Sequence, residues 1–143
     1  MNLHEFMHTP AVTCSRRATL AEVAGLMERH DVGSVVIVDD DKAPAGIVTD
    51  RDLALRGLGR RREPDTPVAE IMTAKVVFLR EDTDVFAAAT EMATAGCRRL
   101  PVLDMDGRVA GVVSLDDLLT LFARQTDKLA EAVMAEMPRS APA

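Results

Sequence analysis

Two hydrophobic rhythms alternate along this chain, and each predicts a different element. Val12-Thr13-Cys14 reads as a short extended run. Thr19-Leu20-Ala21-Glu22 has capping-box form, and Leu20, Val23, Ala24 and Met27 follow at the spacing of a helix with one buried stripe. The rhythm then changes. Ser34 to Val38 is an unbroken apolar run, an aspartate-rich turn follows, and Gly46 to Thr49 is apolar again, which predicts strand, turn and strand with a short helix from about Asp50.

The same order returns later in the chain. Asp84 stands as an N-cap before Val85, Ala88, Ala89 and Met92 at helical spacing. Leu100 to Leu103 and Gly111 to Ser114 flank Asp104-Met105-Asp106-Gly107, whose Asp-Gly step favours a hairpin turn, and a short helix is predicted from about Leu115. A shift of 65 positions, without a gap, lays Met7–Leu53 on Met72–Leu118 with 11 identities in 47 positions. Unrelated segments of this composition would share roughly 3 to 4, so the chain is an internal duplication. The strand runs are almost wholly apolar and valine-rich, as in sheets covered on both faces.

The predicted fold is α/β (α+β), with two β-α-β-β-α repeats packed about a pseudo-twofold axis. The predicted limits are 1–58 for the first repeat with its N-terminal segment, 59–67 for a linker containing arginine and proline, and 68–122 for the second repeat. A C-terminal helix and tail complete the chain at 123–143. Arg56, Arg60, Arg61 and Arg62 are expected to lie in solvated connecting chain. Leu129, Val133 and Met137 recur every four residues and predict a helix with an exposed apolar stripe, suited to contact with another chain. Pro138 to Ala143 is expected to fray.

Composition narrows the function. Apolar residues make up 48% of the chain and charged residues 28%, which fits a globular protein with a core. A net charge of −6 disfavours binding to nucleic acid or to anionic lipid. The chain has no stretch near the roughly 18 apolar residues of a membrane span and no N-terminal apolar leader, so a cytoplasmic location is expected. Cys14 and Cys97 are too far apart in sequence for a zinc or redox signature and are expected as reduced thiols.

The shared phrase with chemical content is Gly, two apolar residues, Thr or Ser, two residues, Asp. It occurs as Gly46-Ile47-Val48-Thr49-Asp50-Arg51-Asp52 and as Gly111-Val112-Val113-Ser114-Leu115-Asp116-Asp117. At a strand-to-helix junction it presents free backbone N–H groups to an anion. The carboxylate can accept from a ribose diol, the hydroxyl can bond a phosphate or ribose oxygen, and the glycine allows a ligand close to the backbone. The same residues also form capping boxes that need no ligand. His4-Glu5-Phe6-Met7-His8 fits HExxH, a zinc-protease phrase, but Pro10 leaves room for only about two poorly anchored helical turns. No GxSxG or GxxxxGK[ST] is present, and an enzyme is not expected.

Taken together, LAEVAGLM, GSVVIVDD and GIVTDRDL in the first copy, with VFAAATEM, CRRLPVLD and GVVSLDDL in the second, resemble a stand-alone tandem pair of CBS domains, a Bateman module. The resemblance spans about residues 5 to 122. It implies two clefts for adenosine-containing ligands, with AMP, ADP, ATP and S-adenosylmethionine all compatible, and no cofactor or metal. Asp52 and Asp117 would hold ribose, with Thr49 and Ser114 near ribose or phosphate and Arg51, Arg98 and Arg99 neutralising phosphates. Val12, Thr13, Val35 and Ile47 would line one cleft, and Val77, Leu100 and Val112 the other. Because Asp116 stands where the first repeat has Arg51, the Asp52 cleft is expected to be the better polyphosphate site. The implied role is ligand sensing by a homodimer that regulates another protein in trans. The alternative is an interaction module that binds no nucleotide.

Overall fold

The computed structural model describes residues 1–137, so the expected fraying of Pro138 to Ala143 lies outside the described residues. The first repeat folds as β1 (Thr13–Ser15), α1 (Leu20–His30), β2 (Ser34–Val38), β3 (Pro44–Thr49) and α2 (Asp50–Asp52). The second folds as β4 (Leu79–Arg80), α3 (Val85–Ala95), β5 (Arg99–Leu103), β6 (Val109–Ser114) and α4 (Leu115–Glu136). Among the described residues there are two three-stranded sheets, each with its middle strand parallel to the first and antiparallel to the third. The α+β class and the duplicated order are as the periodicity predicts.

Local signals account for the element ends. Thr19 Oγ1 accepts from Glu22 N at 3.2 Å and Glu22 Oε2 accepts from Thr19 N at 2.9 Å, which starts α1. Asp84 Oδ2 accepts from Phe86 N at 2.9 Å at the start of α3. Gly96, at φ 63°, ends α3 in the left-handed conformation that glycine adopts without strain. Asp104 Oδ1 accepts from the N–H groups of Asp106 and Arg108, both at 2.9 Å, and holds the second hairpin turn.

Four details differ from expectation. Leu20, Val23 and Met27 are buried, but Ala24 faces solvent and Leu26 packs against the core in its place. The helix from Leu115 and the final helix are one element, because α4 runs unbroken to Glu136 and leaves Leu129, Val133, Met134 and Met137 exposed. The short helix of the first repeat has only three α-helical residues before it widens into a π turn at Leu53–Gly57. Arg56, in that turn, is half-buried rather than solvated, and its guanidinium donates to Ile71 O and Thr73 Oγ1, both at 3.1 Å.

The cores reveal an exchange between repeats. Leu3, with no exposed surface, belongs to the core of the second repeat, together with Val85, Leu100, Val102, Val113 and Leu118. Val68 and Ile71 belong to the core of the first, with Val23, Val35, Ile37 and Val48. Each repeat's leading segment is therefore packed into the other repeat. Backbone pairing repeats the pattern: Ile47 bridges Thr73 and His8 bridges Val112, pairs that exchange under the shift of 65. Asn2 with Asp84 and Thr19 with Pro67 do the same. A relation that carries each contact onto the other and back is a twofold, which is the pseudo-symmetry the duplication predicts.

This crossing explains the paired glycines. A Cβ on Gly46 would stand 2.6 Å from Thr73 O, and one on Gly111 would stand 2.6 Å from His8 O. The glycines admit the crossing backbone of the other repeat, not a ligand as their place in the motif suggests. An added methyl at either position would force two backbones apart, at about 1–3 kcal/mol. Among the described residues no helix is long and apolar enough to cross a membrane.

Candidate functional site

The crossing segments also build two clefts, each from both repeats. The larger, of about 480 Å³, takes Ile47, Thr49, Arg51 and Asp52 from the end of β3 and the start of α2. To these it adds Thr73, Lys75, Val76 and Val77 from the segment before β4, and Ala95 to Leu100 from the end of α3, the turn after it and the start of β5. The other, of about 370 Å³, is its pseudo-symmetric counterpart. It takes Val112, Ser114 and Asp116 from the second repeat and His8, Pro10, Ala11, Val12 and His30 to Ser34 from the first, with Arg99 on its rim as well. Both fall in the size range of small-molecule sites.

The expected grouping of apolar residues by repeat is therefore wrong. Val77 and Leu100 join Ile47 and Asp52 in the first cleft, while Val12 joins Val112 and Ser114 in the second. Each leading segment crosses to the other repeat before its own first strand, and spacing along the chain cannot show such a crossing. Val35 is wholly buried in the first core, and Thr13 is exposed on β1, so neither lines a cleft. Lys75, Thr73 and Cys97 in the first cleft and His8 and His30 in the second are lining residues absent from the motif. The offset of 65 pairs Thr73 with His8 and was the available signal for the former.

At the first cleft the motif closes on itself and still leaves acceptors. Asp52 Oδ2 accepts from Thr49 N at 3.0 Å, and Thr49 Oγ1 accepts from Asp52 N at 3.1 Å. The capping box thus uses one carboxylate oxygen. The other, Oδ1, lies 3.7 Å from Arg56 Nε, beyond hydrogen-bond length, and keeps lone pairs for a diol. Capping and ligand binding are compatible roles for this aspartate.

Charge separates the two clefts. Lys75, Arg51, Arg98 and Arg99 face a single carboxylate, Asp52, in the first. Their counterparts under the repeat are Pro10, Asp116, Gly33 and Ser34, and Asp31 replaces Gly96. The second cleft therefore carries Asp31 and Asp116 against Arg99. Arg98 Nη2 lies 3.2 Å from Asp116 Oδ1, but both side chains are well exposed and the pair is weak. With α2 so short, positive potential in the first cleft comes mainly from side chains and only slightly from a helix dipole.

At the second motif the carboxylate is engaged. Asp117 Oδ2 accepts from Ser114 N and Ser114 Oγ, both at 2.7 Å, and His8 Nε2 lies 3.0 Å from Asp117 Oδ1. Asp117 is not among the residues lining this cleft and borders a shallower one beside Phe6 and Arg124. The HExxH phrase is dispersed: Leu3–Glu5 is a single 3-10 turn, His4 Nδ1 lies 3.6 Å from Glu81, and His8 meets Asp117. Among the described residues no three such side chains cluster as a metal site.

The profile of the CBS domain matches residues 3–58 and 68–124. The chain belongs to the CBS domain family. Protein MK0525 of Methanopyrus kandleri is 36% identical over 120 residues, 83% of this chain and 61% of that protein, so the chain spans less than two thirds of that relative. CBS domain-containing protein YhcV of Bacillus subtilis is 36% identical over 117 residues, 82% of each chain. Inosine-5′-monophosphate dehydrogenase of Mycobacterium tuberculosis is 33% identical over 79% of this chain, but only 21% of the enzyme is matched. Among solved structures, the CBS domain pair of protein MJ0100, in complex with 5′-methylthioadenosine and S-adenosyl-L-methionine, superposes with TM-score 0.80 at 27% identity. The match covers 87% of this chain and 98% of that one. CBS domain protein PAE2072 of Pyrobaculum aerophilum, complexed with AMP, gives TM-score 0.76 at 28% identity and covers 82% and 89% of the two chains.

Proposed function

We propose that this CBS pair is a regulatory module that senses an adenosine-containing nucleotide in the Asp52 cleft and reports occupancy to a partner protein in trans. One observation carries the proposal: a single cleft brings together a carboxylate with free acceptors, a hydroxyl, apolar Ile47, Val77 and Leu100, and four cationic side chains. These are the groups a ribose, an adenine and a phosphate each require. The AMP complex of PAE2072 and the adenosyl complexes of the MJ0100 pair support the ligand class. The excess of cations favours nucleotides with phosphate over S-adenosylmethionine. A regulatory rather than catalytic role accords with the dehydrogenase, where the matched part is a minor share of the enzyme.

A homodimer is part of this proposal. Phe86 stacks on Phe122 with ring centroids 5.4 Å apart, yet Phe86 is 64% exposed, and Leu119, one turn before Phe122 on α4, is exposed too. An aromatic pair left open at a helix face suits burial against a second copy.

Thermal unfolding of purified protein with AMP, ADP, ATP and S-adenosylmethionine, against GTP and CTP, tests the sensing role. A ligand at 100 times its dissociation constant adds about 2.7 kcal/mol and is expected to raise the midpoint by roughly 8–10 °C. No shift from any adenosine compound, in protein freed of co-purified ligand, favours the interaction module.

Thiol chemistry gives an independent readout. Burial, and secondarily Glu22, pushes the Cys14 thiol up to about 11, and burial also raises Cys97, which lines the Asp52 cleft. A raised value means less thiolate, so both thiols are expected to alkylate slowly at neutral pH, with the Cys14 rate still climbing above about pH 9. Saturating nucleotide is expected to slow iodoacetamide labelling of Cys97 at least severalfold and to leave Cys14 unchanged. Equal protection of both, read by peptide mass spectrometry, would point to global stabilisation instead.

A further inference from the structure

The two clefts differ in more than charge, and the difference lies in one side chain. In the first, the residue that crosses beside the motif strand is Thr73, and its Oγ1 accepts a hydrogen bond from Arg56. In the second, the residue at the same place is His8, and its imidazole reaches the carboxylate of the motif. The His8–Asp117 contact is 3.0 Å, a hydrogen bond, where the Arg56–Asp52 contact is 3.7 Å and is not. His8 lines the second cleft, whereas Arg56 does not line the first.

We propose that His8 is the residue that closes the second cleft to adenosine ligands, so that the chain binds one nucleotide rather than two. The inference rests on the nucleotide-sensing role proposed above. With Oδ2 bonded to Ser114 and Oδ1 to His8, Asp117 has both oxygens engaged and does not line the second cleft, whereas Asp52 lines the first. A ligand entering there must displace the imidazole and lose its bond, and it meets Asp116 and Asp31 in place of Arg51 and Gly96. The histidine is held on the strand by its backbone, which donates to Val112 O at 2.9 Å and accepts from Val112 N at 3.1 Å. Its side chain is 76% exposed and packs into neither core, so replacing it changes the cleft and spares the fold.

Isothermal titration with AMP and with adenosine tests this on the full chain, alongside His8→Thr, His8→Gln and His8→Thr/Asp117→Ala. Adenosine is included because the second cleft offers a phosphate only Arg99, set against Asp31 and Asp116. Wild type is expected to bind AMP at one site per chain. His8→Thr, which installs the residue of the first cleft, is expected to add a second site for adenosine. His8→Gln keeps a side-chain amide donor for Asp117 and is expected to remain at one, and the double variant is expected to return to one. Two sites in wild type, or no second site in a folded His8→Thr, overturns the role of His8 while sensing stands. No binding by wild type or any variant overturns both, and that result is distinguished by the absence of the first site.

Discussion

Replacing Asp52 by alanine is expected to weaken nucleotide binding by roughly 10- to 150-fold, the cost of about 1.5–3 kcal/mol for losing a charged hydrogen-bond partner. Asp117→Ala is the internal control. Both aspartates close a capping box of the same form, with donor distances of 3.0 and 2.7 Å from the Thr49 and Ser114 N–H groups. Each substitution should therefore cost on the order of 1 kcal/mol, and Asp117→Ala somewhat more, because Asp117 also bonds Ser114 Oγ and His8. Only Asp52 lines the cleft that holds Arg51, Lys75, Arg98 and Arg99. Calorimetry with AMP or ATP, combined with urea unfolding of both variants, separates the effects: a midpoint loss in both variants, but an affinity loss for Asp52→Ala alone. An affinity loss confined to Asp117→Ala would invert the ranking of the clefts. Equal affinities in both variants and wild type would remove Asp52 from the site.

Replacing Leu3 by alanine is expected to destabilise the protein by about 2–5 kcal/mol, the range for emptying a fully buried leucine site. At this chain length each kcal/mol moves the unfolding midpoint by roughly 3–4 °C, so a fall of roughly 6–20 °C is expected by calorimetry or circular dichroism. An N-terminal residue with a 3-10 turn around it would ordinarily be replaceable at little cost. Leu3 is not, because it fills the core of the second repeat, and its N–H donates to Thr83 O at 3.1 Å. Exposed Leu58, in the connection between repeats, is the comparison, and Leu58→Ala is expected to stay within about 0.5 kcal/mol of wild type. A midpoint loss for Leu3→Ala no larger than that of Leu58→Ala would show that the leading segment is not part of the second core. The consequence reaches the clefts, since Met7 to Val12 line or border the second one on their way from that core to β1.

The duplication also allowed the repeats to diverge without changing the fold. β2 and β5 keep the same pairing with β3 and β6, including an irregularity at the same place, between Ile37 and Val38 and between Val102 and Leu103. Over the same scaffold Gly33 and Ser34 correspond to Arg98 and Arg99, and Arg51 corresponds to Asp116. Those differences line the clefts and belong to neither apolar core, so charge differs between the repeats while the cores stay alike.

By itself the sequence determined the repeat, the order of elements and the family. Capping boxes at Thr19, Thr49 and Ser114, the Asp-Gly turn at Asp106-Gly107 and the valine-rich runs act over a few residues, and such local preferences are visible in the chain as written. It also determined which aspartate has arginines close by in sequence. Tertiary structure alone decided which residues share a cleft, because Val77 reaches Asp52 and Val12 reaches Ser114 only after the leading segments have crossed between repeats. It decided that Gly46 and Gly111 serve chain crossing, that Val35 is core, and that α4 is continuous. It also turned His8 from half of a metal-binding phrase into the partner of Asp117, 109 positions away. The physical reason is the same in each case. Periodicity records what a segment buries, whereas the identity of the surface that buries it is set by the exchange of Leu3 and Val68 between two nearly equivalent cores.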